Sequence, residues 1–214
     1  FKQKTAYEIG VRLVGSEMCI RDRVRVGRAS VLLTAVSHRY NPPIMLLEKP
    51  KATTLTAVTL AAIAFSAGVY AIMGFINNGL LPHTIIDLEF AASTARLAEL
   101  VAVWGTAGVE SARQSLTLDF VFIPCYVLAF SGLALIVARA ATGVWQRYGL
   151  YTIGLPVLAG GLDVIENLVL LNSLPPATGE ALMVAAVCAG LKFALLAVTL
   201  LYVVAALGWK VLAR

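Results

Sequence analysis

Residues 149–171 read GLYTIGLPVLAGGLDVIENLVLL, and this stretch decides the fold. It is apolar over a length sufficient to cross a bilayer as an α-helix, which takes about 20 residues. It also carries Asp163, Glu166 and Asn167 at relative positions i, i+3 and i+4, so the three share one helical stripe. Pro156 and Gly160 continue that stripe. An ionised carboxylate facing hydrocarbon is expensive, so the stripe must face protein and the helix must have neighbours.

Those neighbours are found by reading outward. Comparable apolar runs lie at 54–76, 116–138 and 181–207, so the chain is expected to be all-α, a four-helix transmembrane bundle. Turn signals punctuate the runs: Asn77-Asn78-Gly79 after the first, Arg139 and Thr142-Gly143 after the second, Pro175-Pro176 and Gly179 after the third. A composition of 59% hydrophobic and 14% charged residues agrees with four spans and with no ordinary soluble domain. Cys125 and Cys188 fall inside spans as small buried residues, with neither a metal-ligand spacing nor a disulfide pattern.

Basic residues give the direction of the spans. Arg25, Arg28, Arg39, Lys49, Lys51, Arg139, Arg147, Lys210 and Arg214 fall on one side, against Arg96 and Arg113 on the other. By the positive-inside rule both termini are cytoplasmic, N-in and C-in, with 208–214 a cytoplasmic tail. Trp145, Tyr148, Tyr202 and Trp209 are placed as an aromatic belt at the cytoplasmic face.

The substantial segment outside the spans is the outer loop 78–115, which carries Asp87, Glu89, Glu99 and Glu110. Leu97, Val101 and Trp104 recur at helical spacing, predicting a short amphipathic helix that starts near Ser93 or Thr94 and ends at Gly105. Thr106 is then placed to cap a second helix entering the next span. The segment is expected to lie on the membrane surface or fold over the bundle mouth, and a lid over a binding site is the sharper reading. His83 is read as a solvated loop residue, and Pro124 as a bend in the second span.

The fourth span contains Lys192, flanked at helical spacing by Ala185, Cys188, Ala189 and Thr199. At about 1.5 Å of rise per residue, Lys192 and Asp163 lie at similar depth, so an ion pair from Lys192 to Asp163 or Glu166 is expected. Ser66, Tyr70 and Tyr126 fall near the same depth, and Asp119 lies two turns from Tyr126 toward the outer mouth. The sequence thus predicts one intramembrane polar layer drawn from all four helices and opening outward. Its candidate site residues are Asp119, Tyr126, Asp163, Glu166, Asn167 and Lys192. Two acids against one lysine leave a carboxyl that must be protonated or find another donor such as Tyr126.

Two resemblances bear on the chain. The segment LDFVFIPCY at 118–126, with Trp104-Gly105 before it and GLDVIEN at 161–167 after it, resembles recurring features of a family of bacterial four-helix integral membrane proteins. The likeness covers about residues 54–207 and implies a bacterial inner membrane, with no activity to carry over. Residues 1–23, FKQKTAYEIGVRLVGSEMCIRDR, resemble translated sequencing-adapter sequence rather than protein. Residues 24–53 then form a cytoplasmic leader that is partly or wholly non-native, with Met45 as an alternative start. Without residues 1–23, which hold five bases and three acids, the net charge of +5 falls to +3 and lends no support to a nucleic-acid partner.

Chemically, the sequence predicts a binding or scaffolding role for a lipid-like or amphipathic small molecule, with the lipid bilayer as the other partner. Two alternatives use the same residues. One is a membrane-embedded enzyme with the buried carboxylates as acid and base. The other is a proton-coupled transporter, which needs a homo-oligomer; Ala64 to Gly68 and Ala186 to Gly190 offer small faces for one. No nucleophile stands beside a base, no span contains a histidine, and no metal or cofactor motif occurs.

Overall fold

Four apolar helices dominate the molecule, each long enough to cross a membrane. The computed structural model describes residues 51–175 and 181–212. Residues 1–23, the leader to residue 50 with Met45, and the Pro176 and Gly179 turn signals lie outside the described residues, as does Arg214. No strand occurs among the described residues.

Helix α1 is Ala52–Asn77, and a 3-10 turn at Asn78–Leu80 follows it. Helix α2 is the short Ile85–Glu89 and α3 is the long Thr94–Ala140. Helix α4, Gly143–Thr152, and α5, Leu155–Ser173, form one apolar span interrupted at Ile153 and Gly154. Pro156 explains the interruption: it sits in the first turn of α5, where its missing N–H leaves no bond unmade. Helix α6 is Leu182–Leu212. The expected third span, about 149–171, begins inside α4 and leaves out residues 143–148, which are more polar and do not announce a span by apolarity.

The expected start of the helix before the second span is present. Ser93 accepts a hydrogen bond from the Arg96 backbone N–H, capping α3. Its other expected boundary is present as a break: Gly105 sits at φ 59°, a left-handed conformation that glycine adopts without strain. Residues on the two sides of the break stay in one continuous run. Backbone dihedrals leave the helical region at Gly105 and stay helical at Pro124, which lies inside α3. Gly143, at φ 62°, turns the chain from α3 into α4.

The segment between α1 and α3 is anchored rather than loose. Leu80 and Leu88 are fully buried with Leu97, Leu100 and Trp104 in one apolar core that also takes in Leu116, Leu170 and Leu182. The Trp104 indole N–H donates to the Leu80 carbonyl at 2.7 Å, so the polar atom of this buried ring is satisfied. Gly79 and Gly108 permit the approach, because a Cβ on either would run into Ser111 or Trp104.

Long-helix packing is pairwise and open on one side. Helix α1 packs on α3, α3 on α5, and α5 on α6, while no comparable interface joins α1 to α6. Thr59 of α1 fills the space a side chain would take at Gly132 of α3. Gly149 makes room in the same way for the Tyr202 ring. Tyr202, one of the aromatic-belt residues, is buried and donates to the Trp145 carbonyl at 3.0 Å, tying α6 to α4. Close packing of small residues is the main attraction left between helices when lipid is as apolar as their side chains.

Candidate functional site: a buried carboxyl and lysine cluster beside a cavity

The stripe on α5 faces inward, and Asp163, Glu166 and Asn167 are all buried. Lys192 projects from α6 to meet it and is only 4% exposed. Its ammonium lies 2.7 Å from Asp163 Oδ1 and 2.9 Å from Glu166 Oε2, and donates to Glu166 Oε1 at 3.0 Å. The second Asp163 oxygen accepts from the Tyr126 hydroxyl of α3 at 2.9 Å. One turn along α5, the Asn167 amide donates to Asp119 of α3 in a short hydrogen bond. The structure thus brings together all six residues singled out from the sequence.

Close helix approach sets these contacts. A Cβ at Gly160 would overlap Val127 and press on Ile123, with the Tyr126 hydroxyl just beyond. Glycine at this position lets α3 lie close enough for Tyr126 to reach Asp163, three residues further along α5. Small residues do the same on α6, where Ala185, Cys188 and Ala189 are buried beside Lys192.

Two parts of the expected polar layer differ. The first helix supplies no hydrogen bond to the cluster: Ser66 Oγ is buried without a partner, and Tyr70 is 69% exposed with its ring 6.3 Å from that of Phe122. The missing contribution comes from α2 instead. Glu89, read from the sequence as an ordinary loop acid, places Oε2 3.5 Å from the Lys192 ammonium. A local signal for this helix exists in Thr84-Ile85-Ile86-Asp87. The Asp87 carboxylate accepts from the Thr84 backbone N–H at 2.7 Å and from its hydroxyl at 2.9 Å, which fixes the start of α2. Nothing local says that Glu89 would reach α6.

The site therefore holds four carboxyl groups, from Glu89, Asp119, Asp163 and Glu166, around the single ammonium of Lys192. Burial pushes the Glu89 carboxyl above its ordinary value, with Lys192 opposing the shift in part. Asp87, outside the cluster, is held low by the Thr84 backbone N–H it accepts from. Phe193 stacks on Phe90 at a centroid distance of 6.2 Å and lies 5.0 Å from the Lys192 nitrogen, which holds the end of α2 against α6. Among the described residues no group of three His, Cys, Asp or Glu side chains is arranged to hold a metal ion.

Beside the cluster lies a cavity of about 550 Å³. Tyr70, Met73 and Gly74 of α1, Phe122 and Tyr126 of α3, and Phe193 and Leu196 of α6 form its walls. Residues of the segment after α1, including Leu81, Ile85 and Ile86, border it as well, and Glu89, Asp119, Asp163 and Lys192 make its polar end. His83, read as a plain loop residue, also lines it. The cavity occupies the side of the bundle where no α1–α6 interface closes the ring.

These features define a multi-pass helical membrane protein with a charged internal site. Comparison of the chain with protein-family models, with curated proteins and with solved structures returns no match.

Proposed function

We propose that this protein binds a lipid-like or amphipathic small molecule in the cleft between α1 and α6. The observation that carries this reading is the cavity itself: apolar and aromatic along its walls, with buried carboxyls and a lysine at one end. A volume of about 550 Å³ is in the range of pockets that enclose small organic ligands, which run from about 300 to 1,000 Å³. A cleft open between two spans admits a molecule from the bilayer without passage through water. The bias of basic residues supports cytoplasmic termini and an outer position for α2, whose Ile85, Ile86 and Glu89 border the cavity as a lid would. The resemblance of 118–126 and 161–167 to bacterial four-helix membrane proteins favours a bacterial inner membrane as the location.

An enzymatic reading draws less support, because the carboxyls are already engaged by Lys192, Tyr126 and Asn167.

Gly74 provides a direct test. It lines the cavity, and a Cβ there meets nothing within 4 Å, so a large side chain enters empty space. Gly74→Phe is expected to leave thermal stability unchanged or raised while displacing the ligand. Native mass spectrometry of the protein extracted from a bacterial membrane in mild detergent reads the outcome. A retained lipid-like mass that Gly74→Phe abolishes supports the assignment, and a mass that persists unchanged in the variant places the ligand elsewhere.

A further inference from the structure

We infer that the ligand carries a cationic head, as a long-chain amine does, and that its ammonium sits between the Glu89 and Asp163 carboxyls and the aromatic wall. This rests on the cavity being a ligand site and adds the chemical class of what enters it.

Charge is the first ground. Four carboxyls converge on one ammonium, and that ammonium is already within 3.5 Å of three of them. An anionic head would face the Glu89, Asp119 and Asp163 carboxyls, and the one ammonium among the lining residues, Lys192, is already paired with acids. A neutral head would leave the excess acid to be neutralised by protonation, whereas a second ammonium lets it stay ionised and paired. A second ammonium restores the balance and adds hydrogen-bond donors. Glu89 provides an acceptor for them: its Oε2 is buried, has the Lys192 ammonium 3.5 Å away as its one cationic neighbour among the described residues, and belongs to a side chain lining the cavity. A divalent metal is the other cation to weigh, and the absence of a three-ligand group among the described residues argues against it.

The aromatic rings are the second, independent ground. Tyr70, Phe122 and Tyr126 form a ladder along one wall, with centroid spacings of 6.3 and 5.4 Å. Phe193 stands on α6 at the cavity's edge. Ring faces attract a positive charge through their quadrupole, and aromatic enclosures of this kind recur where ammonium groups are recognised. Carboxyls at one end and rings along the walls suit a cation followed by a hydrocarbon chain. Neither feature suits a phosphate or a carboxylate.

The test uses three probes with the same twelve-carbon chain: dodecylamine, dodecanol and dodecanoic acid. Each is titrated at neutral pH, below its micellar concentration, into the full chain in lipid nanodiscs, with empty nanodiscs as the blank. The amine is expected to bind at least about tenfold more tightly than the other two. Glu89→Gln should reduce that preference about tenfold. Tyr70→Ala should weaken the amine by about threefold, as loss of one cation–π contact at a half-open site does, while leaving the other probes little changed. Tyr70 is exposed and outside the ion-pair cluster, so this variant separates recognition from folding. Equal binding of all three probes would overturn the cationic head while leaving the amphiphile site standing. Binding of none would overturn both, and an amine preference indifferent to both substitutions would place its recognition outside this cavity.

Discussion

Lys192 determines how the other charges in the bundle are tolerated. A single buried ammonium serves Asp163, Glu166 and Glu89. Removing one partner of a buried ion pair leaves the remaining charge uncompensated, at about 3–5 kcal/mol. Lys192→Met is therefore expected to lower the unfolding midpoint in detergent sharply. Combined with Asp163→Asn, part of that loss should return, because the second substitution removes one of the stranded acids. Glu166 and Glu89 remain, so recovery should be incomplete. A double-mutant cycle reads the coupling directly: strict additivity of the two substitutions would show that the pair is not energetically linked. Tyr126→Phe removes only the donor to Asp163 Oδ2, and its expected effect is smaller, about 1–3 kcal/mol for an unsatisfied buried acceptor.

At the scale of elements, the docking of α2 is predicted to depend on pH. Asp87 is held low by its bonds to Thr84, so its contribution is complete above 3.8 and is lost as pH falls through the depressed value. Glu89 is raised by burial, so its contribution is complete below 4.5 and is lost as pH climbs through the raised value, when ionisation of a buried carboxyl opposes docking. Lys192 moderates this loss and Asp163 adds to it. Hydrogen-exchange protection of Ile85–Glu89, corrected for intrinsic rates, should accordingly pass through a maximum on the acid side. Asp87→Asn should remove the falling limb at low pH, and Glu89→Gln the falling limb at higher pH. A flat profile in the unsubstituted protein would mean that α2 is held by Leu88 and the Phe90–Phe193 stack alone. The α3–α5 contact is set by Gly160. Gly160→Val should force Val127 and Ile123 away, costing about 1–3 kcal/mol by overpacking and lengthening the Tyr126 to Asp163 bond.

At the scale of the whole molecule, the chain of contacts α1 to α3 to α5 to α6 leaves a cleft rather than a sealed bundle. The buried cluster braces one side of that cleft and α2 borders it. If residues 1–23 derive from adapter sequence, their deletion should leave membrane insertion and thermal stability unchanged; loss of either would return them to the protein.

The sequence by itself determined the four apolar helices, the inward stripe on α5 and the meeting of Lys192 with its acids. These follow from local periodicity combined with one strong rule, that charge is expelled from hydrocarbon unless it finds a partner, so few arrangements remain. The cap at Ser93 and the break at Gly105 were equally legible, because each depends on the conformational preference of one residue and its immediate neighbours. Only the tertiary structure decided that Glu89 joins the cluster, that Tyr70 lines a cavity instead of bonding into the polar layer, that Tyr202 is buried against α4, and that α1 and α6 stand apart. Those outcomes depend on how distant helices dock, through the small residues at Gly132, Gly149 and Gly160 and the apolar anchor of Leu80 and Leu88. Spacing along a chain fixes which residues share a face, but which face meets which is settled by close packing between helices far apart in sequence.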